Sequence, residues 1–350
     1  MVLKEAFAMK AAVVGASGYT GEVLLKLLAR HPQVTVTRAV SRSLAGQRAD
    51  NALPRLRGQL GESAFTADDP ATVAAGKEEV VFLALPHGAA AEFALPLLAA
   101  GKTVIDLSAD FRLGDAAVYE ATYGAPHPAP EQLAATPYVL PEIADVLAPD
   151  WAAHPLIACP GCYPTSVQLP LFPLLRDRLV DPEGVVINSG SGVSGAGKKA
   201  HLDFSYGERW QSAKAYGAPH HRHVPEIEEQ LTWFVGEKVV VQFTPHLLPT
   251  HSGIATTIVV PARGDLDAIY EAWETAYAGR PFIHFLPPGT FPDTQNVVGS
   301  NRAELSAVVD DRTGNALLFS TIDNLYKGAG GQAVQILNLK MGWAETEGLA

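Results

Sequence analysis

The sequence predicts an α/β protein with two domains: a Rossmann-type, doubly wound parallel sheet comes first, and an α+β domain with a mostly antiparallel sheet follows. Short apolar runs alternate with helical patterns through the first part of the chain, which is typical of a parallel sheet. A glycine-rich segment separates the first apolar run from the first helix. Later runs alternate apolar and polar residues, as strands of antiparallel sheets do.

The individual elements follow from these patterns. In the first domain we expect strands at residues 10–14, 34–40, 80–85 and 103–106, with helices at 22–30 and 89–100. In the second we expect a helix at 165–179 and strands at 185–187, 239–244, 254–260 and 315–322. A last helix at 331–341 has the character needed to pack on the first sheet. We therefore assign residues 1–160, completed by the C-terminal helix within 325–350, to the first domain and residues 161–324 to the second.

The composition argues against several classes of function. The 350 residues carry a formal net charge of −11, which argues against general binding to nucleic acid or to anionic membranes. The two cysteines cannot build a disulfide framework, and the N-terminus lacks an apolar signal core. No apolar stretch is long enough to span a bilayer. These observations predict a cytoplasmic protein that acts on a small molecule.

The first strand runs directly into the sequence GASGYTG, which opens the first helix. In this position, glycines let the backbone approach a pyrophosphate, and the helix N-terminus stabilises its negative charge. The glycine spacing differs from the commoner G-x-G-x-x-G, so a turn without a ligand is the alternative. The candidate cofactor contacts in this segment are Gly15, Ala16, Ser17, Gly18, Tyr19, Thr20 and Gly21.

The end of the second strand indicates which dinucleotide binds. NAD sites usually place a carboxylate there for the ribose 2′-hydroxyl, whereas this sequence has Ser41 and Arg42. A hydroxyl and a guanidinium suit a 2′-phosphate, so we predict NADP (NADPH) as the cofactor. The alternative is that Arg42 is a solvated loop residue. Pro86 and His87 follow the third strand and either line the cofactor cleft or close a loop.

Two further segments are candidates for holding an anion. Arg112 follows the fourth strand, and Asp106 or Asp110 would orient it, unless the acids and the arginine only pair with one another. Residues 189–199 form a second glycine-rich run that ends in two lysines, of which Lys198 is the first. We expect a mobile loop there that closes over an anion or a nicotinamide ring, with a flexible linker as the alternative.

Cys162 lies between a Pro-Gly turn and Pro164, a residue that suits the first turn of a helix. Unpaired N–H groups and the helix dipole at such a position favour a thiolate, which is a nucleophile at neutral pH. Further along the chain, His221, Arg222 and His223 belong to the densest cluster of titratable groups, which suits proton transfer.

Three kinds of site fit these residues. Cys159 and Cys162 have the C-x-x-C spacing of a redox pair, although such motifs normally lie in small domains. The two cysteines with His221 and His223 have the ligand types of a zinc site, although their spacing matches no common finger. The third kind is a covalent nucleophile beside a nicotinamide: Cys162 attacks an acyl group, a histidine transfers protons, and cationic side chains hold a phosphate. We favour the third kind, which needs no metal.

Seven segments, in this order, resemble the N-acetyl-γ-glutamyl-phosphate reductase family of the semialdehyde dehydrogenase superfamily. They are GASGYTG, LALPHG, DLSADFRL, PGCYPT, SGVSGAG, HRHVPEIE and IDNLYKGAGGQAVQ, and they span nearly the whole chain. The resemblance implies reductive dephosphorylation of N-acetyl-γ-glutamyl phosphate by NADPH in arginine biosynthesis. The products are then N-acetylglutamate semialdehyde and phosphate. It also implies a homo-oligomer, a dimer or a tetramer, that assembles through the second domain.

The resemblance also implies roles for individual residues. Cys162 matches the nucleophile that forms a thioester, and His221 or His223 matches the acid/base. The implied cofactor contacts outside the first glycine-rich segment are Ser41, Arg42, Ser191, Gly192 and Asn324, to which we add Pro86 and His87 for their position after the third strand. The expected substrate contacts are Ser108, Arg112, Lys198 and Arg222. The chain departs from the family where His251, Ser252 and Gly253 stand in place of an Arg-Gly pair.

Other functions of the superfamily are alternatives. One is a reductase of carrier-bound aminoadipyl phosphate in lysine biosynthesis, for which a net charge of −11 is a poor match, because the carrier protein is acidic. Another is aspartate-semialdehyde dehydrogenase. The non-enzymatic alternative is a regulatory protein that binds NADP without chemistry. Such a protein needs neither Cys162 nor the histidine cluster, which favours an enzyme.

Overall fold

The computed structural model describes residues 8–61, 63–198 and 200–349. Residues 1–7, in which the sequence shows no signal core, and Lys199 of the second glycine-rich run lie outside the described residues. The chain divides into two compact units, one formed by Met1–Pro160 with Ala329–Ala350 and the other by Gly161–Gly328. No described helix has both the length and the apolar character needed to cross a membrane.

The first unit contains one five-stranded sheet. Its strands are β1 (Met9–Val14), β2 (Val34–Val40), β3 (Val80–Leu83), β4 (Thr103–Asp106) and β5 (Leu156–Ala158). Their order is β2-β1-β3-β4-β5, and all pairings are parallel, so the predicted Rossmann-type sheet is confirmed. The chain changes direction across the sheet between β1 and β3. The carboxyl ends of these two strands therefore form the topological switch point, where ligands bind in such sheets.

The helices of the first unit include one from the end of the chain. They are α1 (Tyr19–Arg30), α2 (Ala49–Ala52), α3 (Pro70–Ala74), α4 (Ala90–Ala99), α5 (Ala116–Tyr123), α6 (Ala144–Leu147) and α12 (Gly331–Lys340). α12 packs against α1, and Asn338 Oδ1 lies 2.8 Å from His31 Nε2. Lys340 donates to the carbonyls of Ala152 and His154. These contacts hold the C-terminal helix within the first unit.

The second unit contains a seven-stranded sheet. Its strands are β6 (Val185–Ser191), β7 (Lys214–Ala215), β8 (Val241–Leu247), β9 (Ile254–Pro261), β10 (Ile283–Phe285), β11 (Ala303–Asp310) and β12 (Asn315–Ile322). Their order is β10-β11-β12-β9-β6-β8-β7. The β6–β8 and β10–β11 pairings are parallel and the other four are antiparallel, so the predicted mostly antiparallel sheet is confirmed. The helices are α7 (Cys162–Arg176), α8 (Tyr206–Arg209), α9 (Val224–Val235), α10 (Leu266–Ala276) and α11 (Thr294–Val297).

β6 is longer than the sequence predicts. Ser189, Gly190 and Ser191, which we expected in a mobile loop, pair with β8 on one side and with β9 on the other. Gly190 lets the side chain of Leu248 pack closely, because a Cβ there would lie 2.6 Å from it and that side chain would have to shift. The prediction of a mobile loop is therefore wrong for these three residues, where the glycine allows close packing inside a sheet.

α7 begins at Cys162 and ends at Arg176, and both ends lie earlier in the chain than predicted. Every residue from the second to the fourteenth position of the helix is buried. A helix buried on all sides shows no single apolar face, which explains why periodicity located its ends poorly. The prediction that Cys162 lies where a helix starts is confirmed.

Prolines interrupt the hydrogen-bond ladder of α7. Pro173 has no N–H to donate to the carbonyl of Leu169, four residues earlier. The hydroxyl of Tyr277 donates to that carbonyl at 2.6 Å, and the indole of Trp273 donates to the carbonyl of Pro170 at 2.9 Å. Side chains from the end of α10 thus donate hydrogen bonds to carbonyls of α7, and the bond from Tyr277 replaces the one that Pro173 cannot donate.

Candidate active site

A cavity of about 590 Å³ in the second unit brings together the predicted catalytic residues. Cys162, His221, Arg222 and His223 all line it, and Gly192 lies in its wall. They come from the first turn of α7, from the segment before α9 and from the end of β6. A nucleophile and groups suited to proton transfer therefore share one cavity, although they are distant in sequence.

Cys162 is the first residue of α7, and its side chain is partly buried in the cavity wall. Gly161 is the N-cap and has no side chain to cap the helix, and because the helix starts at Cys162 the positive end of its dipole lies there. The space beside the cysteine is limited, because a Cβ at Gly328 would lie 2.7 Å from the Cβ of Cys162. This position suits a thiolate nucleophile.

A buried carboxylate holds the turn that precedes the cysteine. Glu226, in the first turn of α9, is 1% exposed, and its Oε1 accepts the N–H of Gly161 at 2.7 Å. The contact joins residues 65 positions apart, so no local signal in the sequence predicts it. It links the helix that follows the histidines to the start of the helix that carries the nucleophile.

His221 is held by the backbone and surrounded by aromatic rings. Its Nδ1 accepts the N–H of His223 at 3.2 Å, so the proton of the neutral ring is assigned to Nε2. The ring centroids of Tyr163, Tyr216 and Phe243 each lie 5.5 Å from that of His221. The imidazole therefore has a defined tautomer and an apolar surrounding.

Burial, followed by the charge of Arg222, lowers the pKa of His221 from 6.5 to about 4. We therefore expect protonation of His221 to cause no loss of kcat/KM between about pH 7 and about pH 5. The fall of kcat/KM that this protonation causes should be centred near pH 4. The unfolded chain takes up this proton near pH 6.5, so the stability due to the neutral ring is complete above pH 6.5 and is lost as the pH falls toward 4.

Denaturant titrations of the wild type and of His221→Asn, at neutral and at mildly acidic pH, measure this effect. The wild type should lose more stability on acidification than the variant, because only the wild type carries the ring. An equal loss in the two proteins would contradict the lowered pKa.

Two tyrosines form one wall of the cavity. The hydroxyls of Tyr163 and Tyr216 lie 3.0 Å apart and share a hydrogen bond. Burial raises the pKa of Tyr163, and it raises the pKa of Tyr216 to about 12. Both hydroxyls therefore stay protonated at neutral pH and add hydrogen bonding without negative charge.

The cavity is positively charged although the whole chain is acidic. Arg209, Lys214 and Arg222 line it, against a single carboxylate, Asp203, among its described lining residues. Arg209 and Lys214 lie in no glycine-rich or histidine-rich segment, so no local signal marks them. Of the predicted cations, Arg222 lines the cavity, whereas Lys198 is exposed and is not among the described residues that line it. A cavity with this charge suits an anionic substrate.

Hydrogen bonds hold the segment after β6 in place. The N–H groups of residues 192–194 donate to carbonyls within residues 250–253. Asn324 joins the two segments: its Oδ1 accepts the N–H of Gly253, and its Nδ2 donates to the Ser194 hydroxyl, both at 2.9 Å. The predicted cofactor residues that make such bonds within the second unit are Ser191, Gly192 and Asn324.

Cys159 and Cys162 differ in their surroundings, although both are thiols. Cys159 is fully buried, with its Sγ 3.9 Å from the carbonyl oxygen of Ala329 and 3.9 Å from Nε2 of Gln332. Among residues 8–61, 63–198 and 200–349, no group of His, Cys, Asp or Glu side chains could hold a metal ion. The accessible thiol is that of Cys162, as the interpretation of a covalent nucleophile requires.

The GASGYTG segment has the close packing of a phosphate-binding turn. Gly15 has a φ of +83°, and a Cβ there would lie 2.2 Å from the carbonyl oxygen of Ala84. A Cβ at Gly21 would lie 2.4 Å from the carbonyl oxygen of Gly15. α1 begins directly after Gly18, so its N-terminal N–H groups lie at the switch point of the sheet. These residues fit a dinucleotide pyrophosphate. The remaining residues of the segment are Ala16, Ser17, Tyr19 and Thr20.

Three serine hydroxyls lie together where β2 ends. Ser41 Oγ donates to Ser17 Oγ at 2.8 Å and lies 3.2 Å from Ser43 Oγ. Arg42 is exposed beside them. Hydroxyl groups next to a guanidinium fit a 2′-phosphate, and the sequence places no carboxylate between residues 38 and 44.

Arg112 is held by backbone carbonyls of the first unit. Its Nε donates to the carbonyl of Cys159 at 3.0 Å, and its Nη2 donates to the carbonyl of Leu107 at 2.8 Å. Asp110, one of the two acids expected to orient the arginine, accepts the N–H of Ala90 at 2.9 Å and so binds the start of α4. Backbone carbonyls therefore hold this guanidinium, and its charge acts on Asp106, the other acid expected to orient it.

Ser108 connects two buried acids. Its hydroxyl donates to Asp106 at 2.8 Å and accepts the N–H of Asp110 at 3.0 Å. Burial raises the pKa of Asp106 to about 7. The structure therefore gives Ser108, predicted as a substrate contact, hydrogen bonds inside the first unit.

The loop after β3 lies beside the same edge of the sheet. Pro86 and His87 are exposed, and the ring of His87 lies 5.1 Å from that of Tyr123. The N–H of the next residue, Gly88, donates to Asp110 at 2.6 Å. This bond fixes the loop at the carboxyl end of β3, where a dinucleotide would lie.

Two family models match the chain. The semialdehyde dehydrogenase NAD-binding domain matches residues 10–147, and the semialdehyde dehydrogenase dimerisation domain matches residues 162–324. The N-acetyl-gamma-glutamyl-phosphate reductase of Akkermansia muciniphila is 46% identical over 344 residues, which cover 97% of this chain and 98% of the relative. The protein of the same name from Nitrosococcus oceani is 45% identical over 341 residues, with the same coverage.

Solved aspartate semialdehyde dehydrogenases share the fold. Aspartate semialdehyde dehydrogenase II of Vibrio cholerae, solved in complex with ASA, matches with a TM-score of 0.71 and 18% identity. The match covers 96% of this chain and 98% of that one. The enzyme of Candida albicans, solved with NADP, matches with a TM-score of 0.68 and 15% identity over 95% and 98%. At these identities the likeness shows the fold alone. The family models and the close relatives together show that the chain belongs to the semialdehyde dehydrogenase family and, within it, to the N-acetyl-gamma-glutamyl-phosphate reductases.

Proposed function

We propose that this oxidoreductase uses NADPH to reduce N-acetyl-γ-glutamyl phosphate to N-acetylglutamate 5-semialdehyde and phosphate, a step of arginine biosynthesis. One observation carries the proposal: Cys162, at the N-terminus of α7, shares a positively charged cavity with a neutral histidine. The names of relatives that are 42–46% identical support the choice of substrate.

The first step forms a thioester. The Cys162 thiolate attacks the acyl carbon, a C–S bond forms, and the C–O bond to phosphate breaks, so that phosphate leaves with the electron pair. The N-terminus of α7 stabilises the thiolate before the attack. The cations that line the cavity stabilise the negative charge that gathers on the phosphate.

The second step reduces the thioester at the same carbon, and NADPH supplies the hydride when bound. The oxygen of the resulting thiohemiacetal carries the new negative charge, and the Nε2–H of the neutral His221 ring stabilises it by donating a hydrogen bond. When this oxyanion re-forms the C=O bond, the C–S bond breaks, and the aldehyde and the Cys162 thiolate are released. We assign this role to His221 rather than to His223, because the N–H of His223 fixes the tautomer of His221.

The oxidative direction offers a direct test of the proposed reaction. Purified protein should reduce NADP⁺ when it is given N-acetylglutamate semialdehyde and phosphate, because phosphate releases the acyl group from Cys162. Aspartate semialdehyde is the control substrate, and we expect its kcat/KM to be lower by about a hundredfold or more. Equal rates with the two aldehydes would reject the proposed substrate. Turnover without phosphate would reject the exchange between thioester and acyl phosphate.

We further propose that the cofactor is NADPH and that Arg42 binds its 2′-phosphate. Removing a charge-assisted hydrogen bond should raise the KM for NADPH about ten- to a hundredfold in Arg42→Ala and leave the KM for NADH within about twofold. Arg30→Ala is the matched control, since Arg30 is an exposed arginine in the last turn of α1, at the end remote from the glycine-rich turn. The same change in both KM values would argue against a contact with the 2′-phosphate.

We propose, finally, that the chain forms a homo-oligomer, a dimer or a tetramer, through its second unit. The match of residues 162–324 to a dimerisation-domain model supports this assembly. Light scattering on the purified protein should give at least twice the chain mass of 37.1 kDa. A monomer at assay concentration would contradict it.

A further inference from the structure

Arg209 carries a buried charge for which the described residues provide no counter-ion. It is the last residue of α8, it is 8% exposed, and it lines the cavity that contains Cys162 and His221. Its Nε and Nη1 are buried and have no hydrogen-bond partner among residues 8–61, 63–198 and 200–349. A buried guanidinium normally has its donors satisfied, because an uncompensated buried charge is costly.

The carboxylate that shares the cavity with Arg209 is already engaged. Asp203 is the single carboxylate among the described residues that line the cavity. Its Oδ2 lies 3.9 Å from Lys214 Nζ and 3.9 Å from His201 Nδ1, and these are the ion pairs that it makes in the described part of the chain. The charge of Arg209 is thus left for a group that enters the cavity.

We propose that Arg209 binds an oxyanion of the substrate, either its carboxylate or its acyl phosphate group, and so contributes to substrate specificity. This inference rests on the proposed function, in which the substrate carries both groups. A planar guanidinium is matched to both kinds of oxyanion, because each offers two or more acceptor oxygens. Arg222 lines the same cavity but is exposed, so water screens its charge more strongly.

Binding is measured first, on the full-length protein, with inorganic phosphate, N-acetyl-L-glutamate and NADPH as separate probes. We expect Arg209→Gln to weaken the binding of phosphate or of N-acetyl-L-glutamate by about tenfold or more, and to leave the affinity for NADPH within about twofold. Loss of phosphate binding assigns Arg209 to the phosphoryl group, and loss of N-acetyl-L-glutamate binding assigns it to the carboxylate.

The matched control is Arg312→Gln. Arg312 belongs to the same unit but pairs with Asp310 at 2.9 Å on an exposed turn, so its removal should change none of the three affinities. Arg209→Lys keeps the charge without the planar fork and should weaken the same probe by about threefold or more. If Arg209→Gln does not fold, the same binding titrations on Arg209→Lys test the proposal.

Kinetics in the oxidative direction provide the second measurement. Arg209→Gln should raise the KM for phosphate or for the semialdehyde by about tenfold or more, while kcat falls less than about threefold. A merely structural role would instead weaken all three probes together, and that result overturns the proposal. Unchanged affinities in a folded Arg209→Gln protein overturn it as well. The titrations do not depend on turnover, so they decide on Arg209 even if the proposed substrate is not turned over.

Discussion

Serine in place of Cys162 should lower kcat/KM by about a thousandfold or more, the largest effect that we expect from a single substitution. The hydroxyl of serine ionises far less readily than a thiol, so the helix N-terminus has no anion to stabilise and the acyl carbon meets a poor nucleophile. The side chains are similar in size, so the fold and the cavity should be kept. Steady-state kinetics in the oxidative direction measure the loss.

Mass spectrometry gives a second readout of the same prediction. Wild-type protein supplied with N-acetylglutamate semialdehyde and NADP⁺, but no phosphate, should accumulate an acyl group on Cys162, and the serine variant should not. Cys159→Ser is the control, because Cys159 is fully buried, with its Sγ near the carbonyl of Ala329 and the side-chain amide of Gln332. The kcat/KM of Cys159→Ser and its acylation at Cys162 should stay close to those of the wild type. Acylation of Cys159, or full activity of Cys162→Ser, would show that the nucleophile has been assigned wrongly.

Alanine in place of Glu226 should lower kcat/KM by about ten- to a hundredfold. The buried carboxylate accepts the N–H of Gly161 at 2.7 Å, and its loss leaves that N–H unsatisfied directly before the nucleophile. An unsatisfied buried group costs roughly 1–3 kcal/mol, which favours a shift of the turn and with it of Cys162. The rate at which iodoacetamide alkylates Cys162 reports this displacement independently of turnover.

Glu228 offers a matched control for Glu226 on the same helix. Its Oε1 accepts the N–H of Val241 at 3.0 Å, so Glu228→Ala also removes a bond between a carboxylate and the backbone, but at β8 instead of at Gly161. We expect Glu228→Ala to lose stability and to keep its kcat and its alkylation rate. Glu226→Gln, which retains an acceptor oxygen, should recover most of the activity. Equal losses of activity in Glu226→Ala and Glu228→Ala would mean that Glu226 acts through general stability alone.

Local signals in the sequence predicted the features that a short segment determines. The Pro-Gly turn and Pro164 placed Cys162 at a helix start, and the helix indeed begins there. The strand–glycine–helix pattern around Gly15 likewise predicted a glycine-rich turn between strand and helix, and Gly15 has a φ of +83° there, which favours glycine. In both cases the residues that set the geometry lie within a few positions of the feature.

Features that depend on distant partners could not be predicted in this way. The glycines around Gly190 suggested a mobile loop, because the strands that pair with them follow more than 50 residues later in the chain. Glu226 reaches Gly161 across 65 positions, and Arg209 joins the cavity from a segment without a motif. The carbonyl of Cys159 that accepts from Arg112 Nε likewise lies 47 positions along the chain.

The prolines of α7 limit how the chain can be divided. The carbonyl of Leu169, left without a donor by Pro173, is satisfied by Tyr277, more than 100 positions further along. A fragment that ends before this tyrosine keeps the reactive cysteine but loses the donor that completes its helix. The shortest fragment that keeps this helix complete therefore extends at least to Tyr277.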